Sequence, residues 1–83
     1  MHRATRRFWE YFANLPDDIQ NLARKNYTLL KANPHHPSLQ FKKVGKVWSA
    51  RVGLHYRALA TEDGADFIWV WIGTHDEYAR MIQ

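Results

Sequence analysis

Residues 47–60 read VWSARVGLHYRALA, and the rest of the predicted fold is built around them. Two runs of β-favouring residues meet at Gly53, and a glycine at the first of two central positions suits a type II′ hairpin turn. Residues 67–72 (FIWVWI) are all apolar and mostly β-branched or aromatic, which is typical of a strand inside a sheet. We therefore predict three consecutive antiparallel strands that bring Arg57 and the residues after the third strand toward one end.

Length and composition indicate one small domain. At 83 residues we expect a single domain, residues 1–83, with a core rich in aromatic side chains. The chain has no cysteine, which rules out disulfides and thiolate metal sites and fits a reducing compartment. No apolar signal segment follows the basic N-terminus, and no apolar run is long enough to span a bilayer. These features predict a cytoplasmic protein with no membrane partner.

Positive charge is segregated along the chain, whose formal net charge is +4. No carboxylate side chain lies between Asp18 and Glu62. The basic residues in that interval are Arg24, Lys25, Lys31, Lys42, Lys43, Lys46, Arg51 and Arg57. A folded domain with such an interval presents a surface of one sign, which attracts phosphate or an acidic partner. The alternative is a basic soluble protein whose lysines only keep it dispersed.

Two helices are predicted before the strands. The apolar face of the first comprises Phe8, Tyr11, Phe12 and Leu15. Thr5 is its candidate N-cap, and any strand before this helix must be short. The second helix begins at Pro16, where two following aspartates oppose the positive end of the macrodipole, and extends to about Lys31. The two form a helical hairpin.

Residues 34–37 read PHHP and raise the question of a metal site. Adjacent histidines between prolines rarely converge on one ion, and no cysteine or carboxylate lies nearby, so we predict an ordered turn and no metal or cofactor. Residues 38–41 alternate as a short edge strand or an extended lead-in. The lysines that follow, Lys42, Lys43 and Lys46, serve either to contact phosphate or to solubilise an exposed loop.

The hairpin turn decides which side chains share a face. A two-residue turn would pair Ala50 with Arg57, and residues paired in this way share a face of the sheet. Arg57 and His55 would then lie beside Ala50, whereas Tyr56 would join Arg51 on the other face. A shift of one residue would exchange the faces. An arginine in such partly apolar surroundings either pairs with a carboxylate or awaits a phosphate.

The C-terminal segment begins with a capping signature. Thr74 and Glu77 have capping-box spacing, which gives Glu77 a structural role beside any catalytic one. His75 and Tyr78 are three residues apart and share a helix face. An imidazole beside a phenol suits proton transfer near neutral pH, since histidine changes charge near about pH 6.5. The alternative is that both side chains only pack the terminus.

These segments together resemble the RelE/ParE superfamily of toxins from bacterial type II toxin–antitoxin systems. The resemblance rests on residues 41–44 (FKKV), 48–57 (WSARVGLHYR) and 73–78 (GTHDEY), in that order after two helices. It covers almost the whole chain and is greatest to the HigB- and RelE-like branch. One departure is the segment 74–77, where RelE has a longer stretch containing Arg and Lys.

The resemblance implies an α+β, microbial-ribonuclease-like fold, with two N-terminal helices packed on a small twisted antiparallel sheet and a short C-terminal helix. It implies cleavage of mRNA on the ribosome without metal or cofactor. It also implies a cognate antitoxin, whose acidic segment is expected to cover the basic face. Two alternatives remain: a ParE-like inhibitor of DNA gyrase, and a non-catalytic basic binding module.

The resemblance also implies roles for individual residues. Arg57 would contact the scissile phosphate, His75 would act as acid or base, Tyr78 would take part in the chemistry and Glu77 would be a reserve base. The predicted RNA-binding residues are Lys42, Lys43, Lys46, Arg51 and His55. The hypothesis requires the Arg57 guanidinium and the His75–Tyr78 pair to converge on one pocket.

Overall fold

The computed structural model describes residues 1–82 as three helices and a five-stranded sheet. The elements are β1 (His2–Ala4), α1 (Arg6–Ala13), α2 (Asp17–Ala32), a 3-10 turn (Pro37–Leu39), β2 (Lys42–Val44), β3 (Val47–Val52), β4 (Tyr56–Asp63), β5 (Asp66–Thr74) and α3 (His75–Met81). This is the predicted α+β architecture. None of the helices in this part of the chain is long and apolar enough to cross a membrane.

The two N-terminal helices begin where local signals place them. The Thr5 hydroxyl accepts a hydrogen bond from the backbone N–H of Phe8 at 3.1 Å, which caps α1. Pro16 precedes α2, and its first turn carries both predicted aspartates. The helices place apolar side chains such as Phe12 and Leu30 against one face of the sheet. That face holds the larger core of the protein.

The sheet is mixed rather than purely antiparallel. Its strand order is β1-β5-β4-β3-β2, and β1 pairs with β5 in parallel. The strand before α1 is short, as predicted, and its position at the edge places β5 inside the sheet. Neighbouring pairs among β2, β3, β4 and β5 are antiparallel. The expected three-stranded meander is therefore the centre of a wider sheet.

The predicted register of the β3–β4 hairpin was wrong by one residue. Its loop contains three residues, 53–55, so Arg51 pairs with Arg57 and Val52 with Tyr56. Because paired residues share a face, Arg57 lies with Arg51 and not with Ala50. The same shift removes Tyr56 from the face of Arg51. The extra loop residue exchanges every facing assignment in β4.

A β-bulge allows β5 to contribute side chains to two separate hydrophobic cores. The register with β4 shifts between Leu59 and Ala60, which leaves Val70 as the extra residue. Trp69 and Ile72 consequently belong to the core beneath α1 and α2. Trp71 packs instead with Leu59 and Tyr78 in a second cluster, and Val70 packs against that cluster. The apolar run at residues 67–72 of this strand thereby buries side chains on both faces.

The segment between α2 and β2 differs partly from the prediction. The PHHP residues do form a turn, in which His36 Nδ1 accepts a hydrogen bond from Ser38 N at 3.2 Å. However, residues 37–39 form a 3-10 turn that buries Leu39 in the core. The edge strand therefore begins at Lys42. Both alternatives predicted for residues 38–41, a short edge strand and an extended lead-in, were wrong, because residues 38 and 39 lie in the 3-10 turn and Gln40 has a positive φ of 43°.

Gly53→Ala should destabilise the fold more than Gly64→Ala. Both glycines have positive φ, +65° and +60°, where a Cβ costs about 1–2 kcal/mol. A Cβ at Gly53 would also lie 2.9 Å from Leu22 Cδ2, whereas a Cβ at Gly64 would meet no atom of residues 1–82 within 4 Å beyond its chain neighbours. Urea unfolding of the two variants measures the difference. Equal losses of unfolding free energy would mean that Leu22 moves aside without cost.

Candidate active site

Arg57 lies at the centre of the sheet on the face that α3 covers. It pairs with Arg51 on β3 and with Gly73 on β5. Only 4% of the residue is exposed, and its guanidinium carbon lies 5.1 Å from the centroid of the Tyr78 ring. A cation over the face of an aromatic ring is attracted by the ring quadrupole, which holds the two side chains together.

The Arg57 guanidinium lacks a hydrogen-bonding partner for much of its surface. Within residues 1–82, neither Nε nor Nη1 has a hydrogen-bond acceptor. Buried charged donors normally have partners, because desolvating them without one is costly. Other arginines of this chain do pair with carboxylates; Arg3 Nη2, for example, lies 3.1 Å from Asp63 Oδ2. Arg57 is therefore a buried cation whose geometry suits an anion from outside the chain.

His75 and Tyr78 lie next to each other on α3. Their ring centroids are 5.8 Å apart with an angle of 54° between the planes. His75 is exposed, whereas Tyr78 is 5% exposed. The backbone N–H of His75 donates to the carbonyl of His55 at 2.6 Å, so the β3–β4 loop positions the start of α3. The structure thus brings Arg57 and the His75–Tyr78 pair together, with the Tyr78 ring as their common neighbour.

Glu77 belongs to the N-terminus of α3. Its Oε1 accepts hydrogen bonds from Thr74 N at 3.1 Å and Thr74 Oγ1 at 2.9 Å, and its own N–H donates to Thr74 Oγ1. The backbone hydrogen bond, followed by the hydroxyl one, lowers the pKa of Glu77 below its ordinary value. A lowered pKa makes the Glu77 carboxylate a weaker base, and the capping box already engages it. Glu77 is therefore better suited to a structural role than to proton transfer.

The predicted RNA-binding lysines are divided between the two faces of the sheet. Lys42 pairs with Ser49 and therefore lies on the face of Arg57. Lys43 lies on the other face, where its Nζ is 3.2 Å from Glu62 Oε1. Lys46 is exposed in the turn between β2 and β3. Of the three, Lys42 shares the sheet face that carries Arg57.

The other two predicted RNA-binding residues lie near the β3–β4 loop. Arg51 is half-buried on the face of Arg57, and its Nε donates to the carbonyl of Gly53 at 2.9 Å. His55 is exposed in the loop, next to the first residue of α3. Both therefore border the candidate site.

Ser49 was not among the residues singled out from the sequence. It is fully buried on β3, on the same face as Arg57, and its hydroxyl has no partner among residues 1–82. Nothing in a single sequence marks this serine, because its position beside Arg57 depends on the register. A buried hydroxyl without a partner requires an explanation.

An apolar groove lies on the opposite face of the sheet. It has a volume of about 230 Å³, and its lining includes Trp9, Arg24 and Tyr27. None of Arg57, His75 and Tyr78 lines it. No group of three or more histidine, cysteine, aspartate or glutamate side chains within residues 1–82 could hold a metal ion together. The candidate chemistry is therefore carried by the face that α3 covers.

Comparison with solved structures places this fold among known toxins. The chain is similar to a chain of the RelB–RelE antitoxin–toxin complex from Methanococcus jannaschii, with a TM-score of 0.75, 14% identity and coverage of 98% of this chain and 99% of that chain. It is also similar to YafQ from E. coli strain BL21(DE3), with a TM-score of 0.74, 13% identity and coverage of 94% and 96%. A chain of the intact E. coli RelBE toxin–antitoxin complex gives a TM-score of 0.64, 9% identity and coverage of 88% and 93%. At these identities the likeness is one of fold.

A match to a family model adds evidence from the sequence itself. No match to the chain was found among curated proteins. Residues 17–80, however, match the family model described as the ParE-like toxin domain. That range contains α2, all of the antiparallel strands and most of α3, and thus Arg57, His75 and Tyr78. With this match over most of its length and the fold of RelE and YafQ, the chain belongs to the ParE-like toxin domain family.

Proposed function

We propose that this protein is the toxin of a type II toxin–antitoxin system and that it inhibits translation by cleaving mRNA on the ribosome. The observation that carries the proposal is the buried Arg57 guanidinium, whose Nε and Nη1 have no acceptor within residues 1–82, beside Tyr78 and His75. A guanidinium binds phosphate through parallel N–H donors, and such charge-assisted hydrogen bonds are about twice as strong as neutral ones.

The proposed reaction uses only groups of the RNA and the protein. The ribose 2′-oxygen attacks the neighbouring phosphorus, and the bond from phosphorus to the 5′-oxygen breaks. A base takes the proton of the 2′-hydroxyl, and an acid gives a proton to the leaving 5′-oxygen. The products are a 2′,3′-cyclic phosphate and a 5′-hydroxyl. Arg57 stabilises the negative charge that develops on the non-bridging oxygens of the phosphorane.

His75 and Tyr78 supply the proton transfers in this scheme. His75 is exposed at the start of α3, where a bound RNA can reach its imidazole, and it acts as acid or base. Tyr78 lies between the imidazole and the guanidinium and completes the proton relay or stacks on a base of the RNA. Glu77 is left out of the reaction because the capping box engages its carboxylate.

Phosphate entry requires Tyr78 to yield part of the surface of Arg57. The ring covers the guanidinium of Arg57, a residue that is 4% exposed. A cation–π contact contributes about 0.5–2 kcal/mol, whereas each hydrogen bond to a charged group contributes about 1.5–3 kcal/mol. A phosphate that accepts from two guanidinium nitrogens therefore displaces the ring. The same displacement brings the phosphodiester beside the phenol.

The proposed partners follow from the charge distribution. The interval from residue 19 to residue 61 holds no carboxylate, and Lys42, Lys46 and His55 are exposed within it. These residues, with Arg51, are proposed to contact RNA on the ribosome, in the cytoplasm. Relatives of this fold have been solved as RelB–RelE complexes. A cognate antitoxin with an acidic segment would compete for the same basic surface.

The deciding experiment is cleavage by the purified protein. Translating ribosomes with a defined mRNA should yield fragments with 5′-hydroxyl ends, and naked mRNA should yield far fewer. A parallel assay of DNA supercoiling by gyrase tests the second candidate, which is favoured by the match to the ParE-like family model. Inhibition of gyrase without mRNA fragments would establish that alternative. Salt-sensitive RNA binding with neither activity would establish a non-catalytic basic module.

A further inference from the structure

Ser49 is the polar residue most deeply buried beside Arg57. Its exposure is 0%, and its hydroxyl has no hydrogen-bond partner in the described chain. Within residues 1–82, the buried side-chain polar atoms without partners are Ser49 Oγ, Arg57 Nε and Arg57 Nη1. All of these atoms therefore belong to two neighbouring residues, and not to scattered positions.

The register places the two residues on one face. Ser49 pairs with Leu59, and Arg51 pairs with Arg57, so Ser49 and Arg57 are diagonal neighbours across β3 and β4. Diagonal neighbours have Cα atoms about 7–8 Å apart, which long side chains span. The two side chains are thus close enough to bind the same small ligand.

A third group extends this arrangement across the next strand. Lys42 on β2 pairs with Ser49 and shares its face. It is exposed, and it forms no ion pair with any residue from 1 to 82. Lys42, Ser49 and Arg57 form a row of hydrogen-bond donors across β2, β3 and β4, with a cation at each end. No carboxylate of these three strands lies within the row, since Glu62 and Asp63 are at the far end of β4.

Packing alone does not account for a serine at this position. On its own face of the sheet, its cross-strand partner is the buried Leu59 and its diagonal neighbour is Arg57. An alanine at residue 49 would fill nearly the same volume without burying an unpaired hydroxyl. The serine is therefore a cost to the free protein, unless its hydroxyl finds a partner in the functional complex.

We propose that Ser49 is a second phosphate-binding residue, whose hydroxyl donates to a non-bridging oxygen of the phosphodiester held by Arg57. This inference rests on the proposed nuclease function. A guanidinium and a hydroxyl on adjacent strands approach a ligand from different directions, which suits the tetrahedral oxygens of a phosphate. A planar carboxylate fills the fork of Arg57 alone and leaves the hydroxyl unpaired. Lys42 adds a positive charge at the exposed end of the same row.

The test separates the hydroxyl from the packing. Ser49→Ala should cleave ribosome-bound mRNA on the order of 10²-fold more slowly in single-turnover measurements, because a preorganised donor to the transition state is lost. Its melting temperature should stay the same or rise, because an unpaired buried hydroxyl is removed. Ser49→Thr should keep the rate within about tenfold. Ser49→Val, whose side chain is nearly isosteric with threonine but lacks the hydroxyl, should be as slow as Ser49→Ala. Ser38→Ala, at an exposed position, is the matched control and should keep the wild-type rate.

A second readout does not depend on cleavage. The probe is a dinucleotide with a 2′-deoxy ribose, which carries a phosphodiester but lacks the nucleophile. Titration with this dinucleotide should shift the NMR signal of Arg57 Nε–H. Ser49→Ala should raise the dissociation constant of the dinucleotide at least tenfold. An unchanged dissociation constant would overturn the inference, as would equal cleavage rates for Ser49→Thr and Ser49→Val. If the wild-type protein cuts no mRNA, the nuclease function fails, and this titration alone decides whether Ser49 binds phosphate.

Discussion

Arg57→Ala should reduce cleavage of ribosome-bound mRNA by about 10²–10³-fold and abolish growth arrest, while the protein remains folded. The loss of rate follows because Arg57 is the cation proposed to bind the non-bridging oxygens, and removing one charge-stabilising donor has an effect of this size. Stability should change little. The substitution leaves a cavity, but it also removes a buried cation whose Nε and Nη1 have no acceptor within residues 1–82.

Two further variants sharpen this prediction. Arg57→Lys keeps the charge but loses the parallel donors, so its rate should fall between those of Arg57→Ala and the wild type. Arg6→Ala is the matched control. It removes the same charge as Arg57→Ala, but from a side chain on α1 that is 96% exposed. Growth arrest by Arg57→Ala at wild-type expression would show that the phosphate is bound elsewhere. Thermal unfolding of each variant excludes a trivial loss of structure.

His75→Ala should slow cleavage by about 10²–10⁴-fold, the range for removal of a positioned acid or base. The imidazole is exposed, and the hydrogen bond from His75 to His55 involves backbone atoms only, so the start of α3 keeps its position. The pH–rate profile of the variant should also differ from that of the wild type, because a proton-transferring group is lost. Single-turnover rates measured over a range of pH values report both effects.

Chemical rescue gives this second prediction a direct control. Added imidazole should restore part of the rate of His75→Ala but none of the rate of Arg57→Ala, because only the former lacks an imidazole. His35→Ala removes a histidine at an exposed position in the turn before the sheet and should leave the rate unchanged. His75→Ala could instead keep the wild-type rate and pH profile while Tyr78→Phe loses most of the cleavage rate. That result would assign the proton transfer to the phenol of Tyr78.

The parts of the fold that follow from local chemistry were predicted from the sequence. Thr5 caps α1 because its hydroxyl meets a free N–H within the same turn. The capping box of Thr74 and Glu77 forms for the same reason, and it depends on residues three positions apart. The apolar run of β5 likewise indicated a strand inside the sheet, because such a run is stable only when both faces are covered. These signals act within a few residues.

The hairpin register shows where local signals end. Gly53 marks the loop correctly and has the positive φ that a turn requires, but a glycine does not determine whether the loop has two residues or three. The pairing of β4 with β5 decides the matter. In the observed register, Arg57 lies opposite Gly73, which has no side chain, and beneath Tyr78. The predicted register would have placed the guanidinium in the core beneath α1 and α2.

The strand β1 and the bulge in β5 were also decided by distant contacts. A three-residue strand has little propensity of its own, and it forms because β5 offers a free edge that residues 2–4 can join in parallel. The bulge at Val70 adjusts the strand to two cores whose buried side chains come from all three helices, the 3-10 turn and strands β3, β4 and β5. Such adjustments depend on the summed packing of the assembled layers.

The helix starts, the apolar strand, the segregation of charge and the presence of an arginine and a histidine–tyrosine pair suited to phosphate chemistry follow from the amino-acid sequence alone. Three-dimensional packing was needed to show that Arg57 lies beneath Tyr78 with no acceptor for Nε or Nη1 within residues 1–82, that Ser49 lies beside Arg57, and that Lys42 and Lys43 lie on opposite faces of the sheet. Packing is needed because side chains alternate between the two faces along a β-strand. One added loop residue exchanges the faces of every following side chain, and the free energy that selects the register comes from packing against distant elements.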